Sequence, residues 1–372
     1  MYSSPDQAIT APIRADTSVR NMLDRLGITE WLNRPGVTEV LINRPKETFL
    51  ETSAGFERIE SSKLDLMSLT QLASALSIFN SKHISYDHPI QSVTLPDGER
   101  GHIMMPPSCE DKTLVFAFRK PSSSRFSIDD YLRTGRLNGF ADVSKHGVVA
   151  ESSIEIDGRL MRDVCDKMKL PHDVRLADWQ YQMLEHKANG DLNAFFQLAI
   201  QHKLNICMVG GTGSGKTTFS KCLIDLYPAS RRLFTIEDAH ELTTPKHPNS
   251  VHLFFSPTIT AKAVLSSCMR MKPDHLFITE LRGDETWDYL MALKSGHSGS
   301  VTSIHANDCR GALYKIGSYI KQSEVGQTLD FDYIMQEVVT TIDVVVFFEK
   351  THLKELYFDP VKKLQLLRGR AS

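Results

Sequence analysis

Two fold classes share this 372-residue chain: an α+β region at the N-terminus, then an α/β region with a mainly parallel sheet. Three observations predict this. Up to Pro121, strand-like stretches follow one another across short turns, with amphipathic helices among them. From Asn205 onward, apolar strand-like runs alternate with helical patterns, as a parallel sheet requires. Where the first of those runs meets its helix, Gly210, Gly215, Lys216 and Thr217 fit the pattern G-x-x-x-x-G-K-[ST].

The elements follow in order. Residues 1–15 read as a loose leader. Thr17 to Leu32 carries a helical pattern, with Val19, Met22, Leu23 and Leu26 on one face and Gly27 as a break. VTEVLIN and TFLETSAGFERI alternate like strands around turns at Pro45 and Ser53–Gly55. Ser68 is placed to cap a helix whose apolar positions are Leu69, Leu72, Ala73, Leu76 and Phe79. IQSVTL, RGHIMMP and TLVFAFRK read as further strands, with a turn at Pro96-Asp97-Gly98. The domain expected from this is 1–121. The pattern then loosens over 122–203, a long linker with helices, one of them starting at Asp191. Residues 204–372 form the expected third region. Its strands are Ile206–Val209, Leu233–Ile236, Leu276–Ile278, Val301–Ile304 and Val344–Phe348.

Composition narrows the function. Hydrophobic residues make up 41% and charged residues 24%, as in a soluble globular protein. The formal net charge of −2 gives no reason to expect nucleic acid or an anionic surface as an obligate partner, and no sequence-specific nucleic-acid binding is indicated. The six cysteines contain no C-x-x-C pair, which argues against a disulfide framework or structural zinc and for a reducing compartment. The fourteen histidines show no metal-ligand spacing. The N-terminus lacks the apolar core of a signal peptide, and no apolar run approaches the ~20 residues that span a bilayer.

The glycine-rich turn explains its own composition. A triphosphate needs backbone N–H groups aimed inward, and glycines let the loop curl around it. The next helix offers its positive end to the anion. Gly211, Thr212, Gly213, Ser214, Gly215, Lys216, Thr217 and Thr218 are therefore the candidate binders of ATP. Lys216 reaches toward the β- and γ-phosphates, and the Thr217 hydroxyl is a ligand for Mg²⁺.

Three further strands end in polar residues: Glu237-Asp238, Glu280 and His305. Ligands of open α/β sheets bind beyond the carboxyl ends of the strands, so these pieces converge with the loop. Glu280 is the candidate for orienting an attacking water, with a helix-capping carboxylate as its rival. Glu237 and Asp238 are candidates for holding Mg²⁺ through its waters, with a cap or salt bridge as the alternative. His305, and with less reason His297, is a candidate for sensing the γ-phosphate, against a buried and satisfied histidine.

With these residues assembled, the sequence resembles the type IV secretion traffic ATPases of the secretion-ATPase superfamily. GGTGSGKTT (210–218) is similar to the family's phosphate loop and TIEDAHEL (235–242) to its Asp box. CMRMKPDHLFITELRGDE (268–285) resembles its Walker B region and SGHSGSVTSIHA (295–306) its His box. VTEVLINRP, LPDGERGHIMMPP and FAFRKPS look like its N-terminal domain. Thr279 stands where the family usually has glycine, and Lys272 where arginine is common.

The resemblance implies a RecA-like P-loop domain and an N-terminal domain that covers the nucleotide. From that domain Arg100 and Arg119 would reach the phosphates; read from the residues alone, they are equally suited to surface salt bridges. It also implies a homo-oligomeric ring, a hexamer, at the cytoplasmic face of the inner membrane beside other type IV secretion subunits. The linker length resembles the branch in which the N-terminal domain is swapped. The expected function is an ATP-hydrolysing motor of secretion. The alternatives are a nucleotide-dependent switch with negligible turnover, a type II secretion or pilus motor, and, more remotely, a small-molecule kinase.

Overall fold

The computed structural model describes residues 16–52, 54–121, 125–146, 170–171, 174–256 and 258–369. The expected leader and Cys165 lie outside these. The chain divides into two compact units, Met1–Ser122 and Ser123–Ser372.

The first unit begins with α1 (Thr17–Leu26) and α2 (Ile28–Asn33). Gly27 separates them in the left-handed region, at φ 82°, as the break in the pattern predicts. Then come β1 (Glu39–Arg44), β2 (Glu47–Thr52), β3 (Gly55–Glu60), α3 (Leu66–Phe79), β4 (Ile90–Thr94), β5 (Arg100–Met104) and β6 (Val115–Arg119). The six strands pair antiparallel in the order β3-β2-β1-β6-β5-β4. Helix α3 starts three residues earlier than a cap at Ser68 implies. Asp65 is its cap, and the Asp65 carboxylate accepts the Ser68 N–H at 2.9 Å. Alternate strand residues such as Val40, Ile42, Phe116 and Phe118 join Leu69, Leu72 and Leu76 of α3 in one core.

The second unit opens with α4 (Ile128–Arg133), the short β7 (Ala141–Asp142), α5 (Asp178–Asn189) and α6 (Leu192–Gln201). These fall in the stretch expected as a linker, and its described residues belong to this unit's core: Tyr131, Leu137, Leu176, Tyr181, Phe195 and Phe196 are all buried there. Asp191 caps α6 as expected, accepting from Ala194 N. Arg125, at the start of the same stretch, donates to both Asp225 oxygens (2.8 and 2.7 Å) and to Thr243.

Strands and helices then alternate: β8 (Ile206–Val209), α7 (Lys216–Ile224), β9 (Leu233–Glu237), β10 (Ser250–Phe254), α8 (Ala261–Cys268), β11 (His275–Ile278), α9 (Glu285–Lys294), β12 (Val301–Ile304), α10 (Cys309–Gln322), α11 (Phe331–Thr341), β13 (Val344–Glu349), β14 (His352–Phe358) and α12 (Pro360–Leu367). All five expected strands are present. Parallel pairing gives β10-β9-β11 and β12-β8-β13, and antiparallel β14 extends the latter. Between β11 and β12, Thr302 Oγ1 donates to Ile278 O (2.9 Å) and Leu281 N to Ser303 O (2.9 Å). The sheet is buried on both faces, as a parallel sheet must be. Ile206 and Met208 of β8 point into one core with Phe219 and Leu223 of α7. Cys207 and Val209 point into the other, with Leu290, Leu313 and Ile316. No helix among the described residues is long and apolar enough to cross a membrane.

Candidate nucleotide site at the strand ends

The phosphate loop joins β8 to α7. Gly210 has φ 150°, and a Cβ there would lie 2.4 Å from Phe348 O and 2.5 Å from Ser214 Oγ. Only glycine fits where the loop turns against β13. Gly215, at φ 95°, occupies the N-cap of α7, so the helix's free N–H groups open toward the loop. Lys216 Nζ donates to Gly210 O (2.7 Å) and Gly211 O (2.8 Å), which folds the ammonium across the loop mouth. Ser214 Oγ is buried and has no hydrogen-bond partner among the described residues. A cation over the loop at a helix N-terminus, beside a hydroxyl without a partner among the described residues, fits a bound polyphosphate.

Thr217, the second residue of α7, donates its hydroxyl to Glu241 Oε2 at 3.1 Å. Two oxygen donors at this separation suit Mg²⁺, a hard cation that takes oxygen ligands. Sequence reasoning missed Glu241. It lies four residues beyond the end of β9, where no periodicity points to it, and only the path of the loop brings it to Thr217.

Glu237 is the residue that sets that path. Its side chain is fully buried, and Oε2 accepts the N–H groups of Glu241 (2.8 Å) and Leu242 (2.9 Å) while Oε1 accepts the Thr235 hydroxyl (2.8 Å). Burial pushes its pKa up, but hydrogen bonds from His252, those two amides and Thr235 outweigh this and hold it below the ordinary value. The carboxylate therefore faces into the protein and shapes the loop, while Glu241 faces Thr217.

Glu280 follows β11 through Thr279. Its Oε2 accepts from Arg282 Nη2 at 2.8 Å, and its Oε1 lies 3.2 Å from His305 Nε2. Arg282 also donates to Asp238 Oδ2 at 2.9 Å, so one guanidinium joins the ends of β9 and β11. Arg282 is another residue that no pattern in the sequence singles out. His305 follows β12, and Lys315 Nζ holds its carbonyl at 2.6 Å. Burial lowers the His305 pKa, and the positive charge of Lys216 lowers it further against the pull of Glu280. Thus Lys216, His305, Glu280, Arg282 and Asp238 form one electrostatic neighbourhood beyond the carboxyl ends of four strands.

His297 is not part of it. It precedes β12, at the opposite end of that strand from His305, about 13 Å of strand away. Arg100 and Arg119 belong to the first unit. There they are direct partners across β5 and β6, and Arg119 Nε lies 3.5 Å from Glu39.

Known proteins share this arrangement of sequence. A family model described as Type II/IV secretion system protein matches residues 171–346. The type IV secretion system protein VirB11 of Brucella abortus is 34% identical over 97% of this chain and 95% of its own. The chain belongs to the VirB11 family. The VirB11 ATPase of the Brucella suis type IV secretion system, solved in complex with sulphate, is also 34% identical, over 93% of this chain and 99% of that one, with a TM-score of 0.49. The pilus retraction motor PilT, solved with ADP, is 14% identical over 92% of this chain and 87% of that one. Its TM-score of 0.52 shows a shared fold, the RecA-like fold of the secretion ATPases.

Proposed function

We propose that this VirB11-family chain is an ATP-hydrolysing motor of a type IV secretion system, acting as a homo-oligomeric ring, a hexamer, at the cytoplasmic face of the inner membrane. The observation that carries this reading is the convergence of the phosphate loop, the Thr217–Glu241 pair and the Glu280–His305–Arg282–Asp238 cluster on one end of the sheet.

The roles follow from the geometry. The amides of residues 211–218 and the Lys216 ammonium bind the phosphates and draw negative charge off the leaving group. Thr217 and, across from it, Glu241 are placed to hold Mg²⁺, which supplies charge neutralisation along the phosphates. Glu280 orients the attacking water and accepts its proton, with Arg282 and His305 fixing the two carboxylate oxygens in place. Asp238 sets Arg282. Glu237 acts through the loop it holds. By the family resemblance alone, Arg100 and Arg119 are further candidates for binding the phosphates.

Phosphate release from Mg-ATP per chain, measured over a range of protein concentrations, tests this. Turnover that rises with concentration supports a motor that works as an assembly. Lys216→Ala is expected to lower it by about 100-fold or more. Undiminished turnover in that variant overturns the assignment, and tight ATP binding without release in the wild type points instead to a switch.

A further inference from the structure

The loop that carries Glu241 and the strand that follows it, β10, each hold a histidine that the hydrolytic site does not use. Sequence spacing conceals them, because His240 and His252 lie twelve residues apart. Strand pairing removes that distance: in the β9–β10 register His252 is the direct partner of Thr235, two residues before Glu237. The His240 and His252 rings then pack with centroids 4.5 Å apart.

Both rings turn a nitrogen toward the same oxygen. His240 Nδ1 lies 3.5 Å from Glu237 Oε1, and His252 Nδ1 lies 3.8 Å from it. The ligand atoms of the three residues are all within 4.8 Å of one another. Ligands at zinc's bond lengths of ~2.0–2.1 Å stand about 3.4 Å apart around a tetrahedron. Two of the three edges are thus nearly at the required length, the third lies within 4.8 Å, and the His240 side chain is 45% exposed and can turn. A buried carboxylate with two imidazoles is a donor set suited to zinc and its neighbours in the transition series. Two hydroxyls hold the His252 ring. The Thr235 hydroxyl donates to Glu237 Oε1 and lies 2.8 Å from His252 Nδ1, and Thr244 Oγ1 lies 3.3 Å from His252 Nε2. Thr244, on the ring nitrogen away from Glu237, is the kind of partner that fixes ring orientation in metal sites, and Thr235 yields Nδ1 to the metal.

The geometry points to a binding site for one divalent transition-metal ion at Glu237, His240 and His252, with water in the fourth position. It is separate from the Mg²⁺ position at Thr217, and it draws on nitrogen donors that Mg²⁺ does not favour. Its ligands bracket the Asp-box loop: Glu237 Oε2 continues to hold the Glu241 and Leu242 amides while Oε1 takes the metal, and His240 ties the loop's middle to β9 and β10. Occupancy therefore stiffens the segment that presents Glu241 to Thr217.

The test uses the full chain, stripped of metal and free of nucleotide, titrated calorimetrically with Zn²⁺ alone. The expected result is one site per chain, weakened by about 100-fold in His240→Ala and in His252→Ala. The exposed His102 of the first unit serves as a control, and His102→Ala is expected to leave the isotherm unchanged. Co²⁺ should give the visible bands of a four-coordinate nitrogen and oxygen site without a near-ultraviolet thiolate band. His240 is exposed enough that its removal leaves the fold intact, which unchanged thermal melting would verify. An isotherm that is the same in the His240→Ala/His252→Ala double variant, or a thiolate band in the wild type, overturns the proposal.

Discussion

The two ends of the parallel sheet carry similar residue types and use them differently. At the carboxyl ends, polar side chains pair with one another: Thr217 with Glu241, Arg282 with Asp238 and Glu280, Glu280 with His305. At the amino ends, they pair chiefly with backbone, although Asp343 also accepts from the Lys363 ammonium. Asn205 donates to Thr341 O (2.8 Å) and accepts Gly299 N (2.9 Å), while Asp343 accepts Asn205 N (2.9 Å). His275, at the start of β11, stacks among Tyr227 and Phe277. A buried polar group that ties backbone of separate elements together is committed to the fold, whereas groups that satisfy each other, or Lys216 folded onto its own loop, can be rearranged when a ligand arrives. His305 and His297 stand eight residues apart in one motif, yet they fall at opposite ends of β12.

The contrast breaks most visibly if substitutions at the two ends act alike. Glu280→Gln is expected to lower phosphate release by about 10²–10⁴-fold, the range of general base catalysis, with thermal stability nearly unchanged. Asn205→Ala should do the reverse. It leaves a buried carbonyl and a buried N–H without partners, a cost of about 3 kcal/mol in chemical denaturation, with turnover per folded chain preserved. Lost turnover in Asn205→Ala at unchanged stability would remove the distinction.

The amino end also has a pH signature. Burial lowers the His275 pKa from 6.5 to about 4. Between these values the unfolded chain takes up a proton that the folded one refuses, so stability should fall as pH drops from about 6.5 toward 4 and stay flat above. The contribution is at most about 3 kcal/mol. Denaturation midpoints across this window should slope in the wild type and less so in His275→Phe, where the aromatic neighbours accept the ring. Glu237 adds a separate fall at lower pH: its folded pKa lies below 4.5, so its stabilisation is present above that value and lost as pH falls through the folded one.

At the carboxyl end a smaller effect sharpens the picture. Glu241→Gln keeps an acceptor for the Thr217 hydroxyl but removes the charge. Turnover should fall by about 10-fold, and the Mg²⁺ concentration for half-maximal activity should rise. An unchanged Mg²⁺ dependence would assign the metal's surroundings to Asp238 instead.

What the sequence made legible was whatever local pattern encodes. The five strands are continuous apolar runs, because both faces of a parallel sheet are buried. The phosphate loop is a contiguous motif, and Glu280 and His305 follow their strands directly. Contacts made by loops over distance were hidden. Glu241 reaches Thr217 only because Glu237 folds the intervening loop; Arg282 matters only because β9 and β11 are neighbours. The strand β10, which brings His252 beside Glu237, alternates too weakly to stand out, since its residues are only partly buried.

Arg125 gives the smallest and most specific of these effects. It sits in PSSSRFS, a stretch whose composition reads as linker, yet its guanidinium binds both Asp225 oxygens at the end of α7 and the Thr243 carbonyl beyond the Glu237 loop. The Asp225 carboxyl, pushed up by burial, is brought below its ordinary value chiefly by Arg125. The clamp joins the helix that begins at the phosphate loop to the segment that ends the Asp box. Arg125→Ala should cost about 1–2 kcal/mol, because Asp225 is left largely buried without its main partner. If the clamp also sets the loop, phosphate release should fall a few-fold, and Arg125→Lys, which cannot engage both oxygens in the same fork, should recover only part of either loss. Full recovery by lysine would mean that charge alone, and not the forked geometry, holds α7 to the loop.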